Sequence, residues 1–82
     1  MEEVRGFELW PNPVTGTQLS VRLPEAGDLC LMDLSGRVLK RYVALDGGEV
    51  RELQLPEGLR GMYFLEFQQH GQRKMNRKIV LK

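Results

Sequence analysis

Four side chains in this 82-residue chain stand out as candidates for covalent, acid–base or metal chemistry, and none has an evident partner. Cys30 is the single cysteine and His70 the single histidine. A nucleophilic thiol needs a base beside it and an electropositive setting. Cys30 lies instead in the apolar run Leu29-Cys30-Leu31-Met32, where a cysteine behaves as a small buried hydrophobe. His70 precedes Gly71 and Gln72 in a turn sequence with no nucleophile or second ligand nearby, so it reads as a surface residue. One cysteine cannot close an internal disulfide, and no Cys-x-x-Cys or Cys/His set offers metal ligands. Asp33 interrupts an apolar stretch, but a catalytic carboxylate wants a partner and a cleft. The Ser35-Gly36 that follow it offer N–H groups for an Asx-type turn instead. Tyr63, in Gly61-Met62-Tyr63, stands at the start of a strand run, like the tyrosine corner of immunoglobulin-like sandwiches. Its hydroxyl is expected to make a structural hydrogen bond. The chain does not read as an enzyme, and no cofactor is implied.

The chemistry that remains is electrostatic. Residues 73–82 carry five cations (Arg73, Lys74, Arg77, Lys78, Lys82) and no acid, whereas residues 1–72 carry seven cations and eleven acids. An otherwise acidic domain therefore has a basic last segment. Such a segment can be an address read by a partner through main-chain pairing and charge complementarity. It can equally be an edge strand that lysines protect from aggregation. Nucleic-acid binding is disfavoured, because no aromatic interleaves the cations and the remaining surface is acidic.

The elements that must position these groups are strands. Gln18 to Leu23 puts Leu19, Val21 and Leu23 on one face against Gln18, Ser20 and Arg22 on the other, the pattern of a half-buried strand. Leu29 to Leu34 is apolar on both faces and suits the middle of a sheet covered on each side. Val38 to Val43 and Glu49 to Leu55 are further strand runs, and Val4, Phe7 and Leu9 flank an opening one. The last two, Met62 to Gln69 and Met75 to Leu81, meet at His70-Gly71-Gln72. On the final run Met75, Ile79 and Leu81 read as core. Arg77 falls where that face reaches solvent, and Lys78 and Lys82 share the other face. Pro11-Asn12-Pro13 breaks any ladder, since proline has no N–H, and reads as a rigid corner more than a recognition knob. Gly36, Gly58 and Gly61 supply turn geometry. Seven short strands with no helical period predict an all-β fold, an antiparallel seven-stranded immunoglobulin-like β-sandwich.

Length and composition agree with one domain over residues 1–82, with 1–6 as a linker remnant and 7–82 as the sandwich. No apolar run approaches the roughly 20 residues needed to cross a bilayer, so direct membrane insertion is not expected. The opening MEEVRGFELW lacks the basic segment and apolar core of a signal peptide, so an export signal, if used, is expected upstream in a parent chain.

Four stretches together resemble one family. Trp10-Pro11-Asn12-Pro13-Val14 resembles its opening YPNP(V/A) signature, and Leu31 to Leu39 (LMDLSGRVL) resembles its lyDlxGrvv stretch. Leu55 to Leu65 (LPEGLRGMYFL) resembles LpaGvYfl, and Lys78-Ile79-Val80-Leu81-Lys82 resembles kkivvk. The family is the type A C-terminal sorting domain of the type IX (Por) secretion system of Bacteroidetes. Trp10 stands where tyrosine is commoner, and Leu59-Arg60 lengthens the corner before Gly61.

The resemblance implies a sorting module carried by an N-terminal cargo domain. It would pass through the periplasm and then meet type IX translocon components at the outer membrane. A sortase-like cysteine protease there would remove it, leaving cargo on the surface or outside the cell. It also implies recognition through the terminal segment, at Lys74, Arg77, Lys78, Ile79, Val80, Leu81 and Lys82. An exposed edge strand further invites pairing between two copies. The competing reading is an immunoglobulin-like accessory or carbohydrate-binding module, with Trp10, Tyr42 and Tyr63 available for stacking.

Overall fold

The structure, a computed structural model, describes residues 7–82, with the side chains at 73 and 74 excepted. The expectations for residues 1–6, Val4 included, and for the Lys74 side chain lie outside the described residues. The strands are β1 (Glu8–Trp10), β2 (Gln18–Arg22), β3 (Gly27–Met32), β4 (Val38–Leu45), β5 (Val50–Gln54), β6 (Gly61–Gln69) and β7 (Gln72–Leu81). They form a three-stranded sheet, β1-β2-β5, and a four-stranded sheet, β4-β3-β6-β7, antiparallel throughout. The fold is all-β and consistent with the expected immunoglobulin-like sandwich.

Alternation places the core between the sheets. Leu19, Val21 and Leu53 from one sheet meet Leu29, Leu31, Leu65, Phe67, Ile79 and Leu81 from the other, all buried. Phe7 is fully buried before β1, and its ring tilts at 55° against Phe67 with centroids 6.3 Å apart. Two isolated parallel bridges, Val14 with Leu81 and Leu23 with Gly47, stitch the loops of the first sheet's strands to neighbouring chain.

Three details differ from the sequence expectation. β3 is central as expected, but Cys30 is not covered by a second layer. It is buried between its cross-strand neighbours Arg41 and Glu66, whose long side chains share its outward face. β4 runs two residues beyond Val43 because Asp28 Oδ1 accepts the Ala44 N–H at 2.9 Å, holding Ala44 at φ 57°. The last hairpin has only two loop residues. His70 and Gly71 both take positive φ (52° and 76°), the geometry of a type I′ turn, so β7 starts at Gln72 rather than Met75.

Candidate functional site

β7 is an edge strand of the four-stranded sheet, paired along its length with β6. Its inward side chains follow the expectation. Ile79 and Leu81 are buried, Met75 is half-buried against the core, and Arg77 is exposed. The Arg77 guanidinium lies 5.7 Å from the centroid of the Phe7 ring, covering its face at the open side of the sandwich. Lys78, Val80 and Lys82 alternate to the outward face, with the two lysines exposed and Val80 half-buried. The seven residues assigned to recognition are thus not one surface. The side chains of Ile79 and Leu81 are buried in the core, whereas those of Lys78 and Lys82 are exposed.

The outer edge of β7 is not bare. Val14 donates its N–H to the Val80 carbonyl at 2.8 Å, and its own carbonyl accepts the Lys82 N–H at 2.9 Å. One step earlier the Asn12 side chain continues the ladder. Its Nδ2 donates to the Lys78 carbonyl at 3.3 Å, and its Oδ1 accepts the Val80 N–H at 3.1 Å. The flanking Pro11 and Pro13, each preceded by a cis bond, have no N–H to offer, so asparagine's amide serves where the backbone cannot. Pro11-Asn12-Pro13 is therefore a corner, as read from the sequence, and also a clamp on the last strand. No local pattern could have announced it, because 68 residues separate Asn12 from Val80.

The other structural residues behave mostly as read. Asp33 Oδ1 accepts N–H groups from Ser35 and Arg37 at 2.9 Å each and the Ser35 hydroxyl at 2.7 Å. These bonds, led by the Ser35 hydroxyl, hold the Asp33 carboxyl below its ordinary pKa. Gly36 completes that turn at φ 92°, and Gly58 and Gly61 also have positive φ. The extra Leu59-Arg60 in the corner lays Leu59 against the core.

Tyr63 is a correction. Its ring packs on the core, but among the described residues its hydroxyl has no hydrogen-bond partner. The tyrosine that ties the two sheets is Tyr42, whose hydroxyl donates to the Gln54 carbonyl at 2.8 Å. Tyr42 stands on an edge strand facing β5, close enough to span the gap, whereas Tyr63 lies inside the sheet opposite Ile79. The three aromatics proposed for stacking do not form a platform. Trp10 pairs with outward-facing Ser20, while Tyr42 and Tyr63 turn inward.

On the outward face of the four-stranded sheet, register aligns Val38, Met32, Phe64 and Lys78 in one row, with Met62 and Val80 beside them. The neighbouring row is Arg41, Cys30, Glu66 and Asn76. Arg41 Nη1 donates to Cys30 Sγ at 3.4 Å, and Gln68 Nε2 donates to Glu66 Oε1 at 2.7 Å. Burial raises the Cys30 thiol pKa, partly offset by Arg41. Among the described residues no group of His, Cys, Asp and Glu has the arrangement to hold a metal ion.

A family model described as the secretion system C-terminal sorting domain matches residues 8–82, nearly the whole chain. No curated protein and no solved structure matches.

Proposed function

The chain belongs to the family of secretion system C-terminal sorting domains, and from that premise we propose that it is the detachable address of a larger exported protein. A domain of this family is a type IX sorting signal and not a catalyst, and it implies export toward the cell surface or extracellular space. In this reading a cargo domain precedes residue 1 and the whole protein reaches the periplasm under a separate export signal. Type IX translocon components then engage the folded domain, and a sortase-like cysteine protease cuts upstream of it. The single observation that carries the reading is the family match over residues 8–82. The exposed cations Lys78, on the last strand, and Lys82, just after it, support it as an electrostatic handle.

The test is export of a fluorescent reporter bearing a periplasmic export signal and ending in residues 1–82. It is compared in a type IX-competent host and in a translocon mutant. Reporter at the surface or in the medium of the competent host alone is the expected result. Reporter held in the periplasm of both hosts, with the domain folded, sinks the reading. Deleting residues 73–82 is a poor control, because it strips Ile79 and Leu81 from the core and unfolds what it means to silence.

A further inference from the structure

We propose that the export machinery reads the outward face of the four-stranded sheet rather than the edge of β7, and that the reading partner presents carboxylates around an apolar centre. This rests on the sorting-signal reading and says which surface carries the signal.

The edge is the obvious alternative, since adding a strand to an exposed edge is a common recognition mode. Over residues 78–82 the groups such a strand needs are already taken. The Lys78 carbonyl, both main-chain groups of Val80 and the Lys82 N–H are bonded by Asn12 and Val14. A partner strand at residues 78–82 must first displace the Pro11–Val14 segment. It then exchanges one set of hydrogen bonds for an equal one, with little net gain. Displacement also uncovers Val14, which is fully buried. Edge recognition at this stretch is therefore unfavourable.

The outward face has what the edge lacks. Val38 (41% exposed) and Met62 (42%) flank half-buried Met32, Phe64 and Val80, and Leu34 (60%) lies in the turn after Met32. These side chains make an apolar band across all four strands, of the kind that marks interaction sites on small soluble domains. The outward face of the other sheet is different. Its cross-strand pairs are Gln18 with Gln54, Ser20 with Glu52 and Glu8 with Arg22, and its two exposed apolar side chains, Trp10 and Val50, each face a polar partner, Ser20 and Arg22. Only the four-stranded sheet sets its outward apolar side chains next to one another across strands.

Charge decides the partner's chemistry. Lys78 closes the apolar row at β7 and Lys82 lies one outward position beyond Val80. Among the described residues neither is in an ion pair, whereas the cations Arg22, Arg37 and Arg51 each are. An apolar centre rimmed by free cations complements an apolar patch rimmed by carboxylates. A second copy presents the same two lysines and the same apolar band, so self-association is a separate outcome that the experiment must distinguish.

The reporter assay tests this with point variants. Met62→Glu and Val38→Glu place a charge in the band. Lys78→Glu reverses the rim at an exposed position where folding is not at stake. Val50→Glu is the control, somewhat more exposed (52%) and on the other sheet. Export should fall roughly tenfold or more for the first three and stay at the starting level for Val50→Glu, with thermal melts of each purified domain showing it folded. Unchanged export of Met62→Glu and Lys78→Glu overturns the face reading while the unsubstituted domain's export keeps the sorting reading intact. An equal fall for Val50→Glu overturns it as well. Failure of the unsubstituted domain in both hosts removes both readings together. Should sedimentation show a dimer that Met62→Glu dissociates without loss of export, the face serves self-association and the proposal is wrong.

Discussion

Val80 donates its backbone N–H to the side-chain oxygen of Asn12 across 3.1 Å, so an amide from the first loop serves as a rung of the last strand's ladder. The same amide returns the favour to the chain two residues back, at the Lys78 carbonyl. Both contacts are near the surface, and a net worth of about 1 kcal/mol is expected for the pair.

Asn12→Ala should therefore lower the melting temperature by about 4–8 °C in a domain of this size. Asn12→Asp should be worse at neutral pH. It keeps the acceptor for Val80 but sets a carboxylate oxygen against the Lys78 carbonyl, and the deficit should shrink on acidification as that oxygen gains a proton. Thermal melts of the three proteins across pH decide it, and a melting temperature unmoved by Asn12→Ala would show that the clamp is only apparent.

Asp33 gives the fold an acid-sensitive corner. Its carboxyl pKa is lowered by bonds from the Ser35 hydroxyl and the Arg37 and Ser35 N–H groups. A lowered folded value means stability that is fully present above the ordinary carboxylate pKa of about 4 and is lost as pH falls through the folded value. Asp33→Asn should melt earlier at neutral pH and lose stability less steeply below about pH 4. Parallel acid unfolding curves for the two proteins would refute the assignment.

Cys30 should be silent toward a soluble disulfide reagent while the domain is folded. It is buried under Arg41 and beside Glu66, and burial raises its thiol pKa. Labelling at neutral pH should proceed at the rate of opening and accelerate sharply in denaturant. Immediate labelling of the native domain would show that the outward face does not seal over the thiol.

Gly47 marks a close crossing of backbones. A Cβ there would sit 2.6 Å from the backbone Cα and carbonyl carbon of Glu25, atoms that cannot swing aside. Gly47→Ala should cost about 3 kcal/mol, the upper end of ordinary overpacking. Gly48→Ala, where only a φ of 81° resists and nothing crowds the new atom, should cost about 1–2 kcal/mol. Denaturant midpoints compare the two, and equal losses would place the strain elsewhere.

What could be read from the residues alone was whatever acts locally. Leu19, Val21 and Leu23 announce an inward face because alternation in a strand is a two-residue signal. Asp33 and Ser35 announce their turn for the same reason of reach. The contacts that escaped are made across the fold. Asn12 on Lys78 and Val80, Tyr42 rather than Tyr63 as the inter-sheet tie, and Asp28 prolonging β4 through Ala44 all depend on which strands become neighbours. The apolar band escaped similarly. Met32, Met62 and Phe64 are unremarkable in sequence, and only the register sets them side by side with Val38 and Val80.

The burial of Ile79 and Leu81 has a consequence for biosynthesis. Ribosomes deliver the chain from its amino end, so Phe7, Leu19, Leu31 and Leu53 emerge well before the two side chains that close the wall around them. Until translation has passed Leu81, Val14 lacks its bridge and the core stays open. A prematurely terminated product exposes that apolar interior to chaperones and proteases. Folding of this domain therefore waits on its own final strand, and is open only to chains that have been made as far as Leu81.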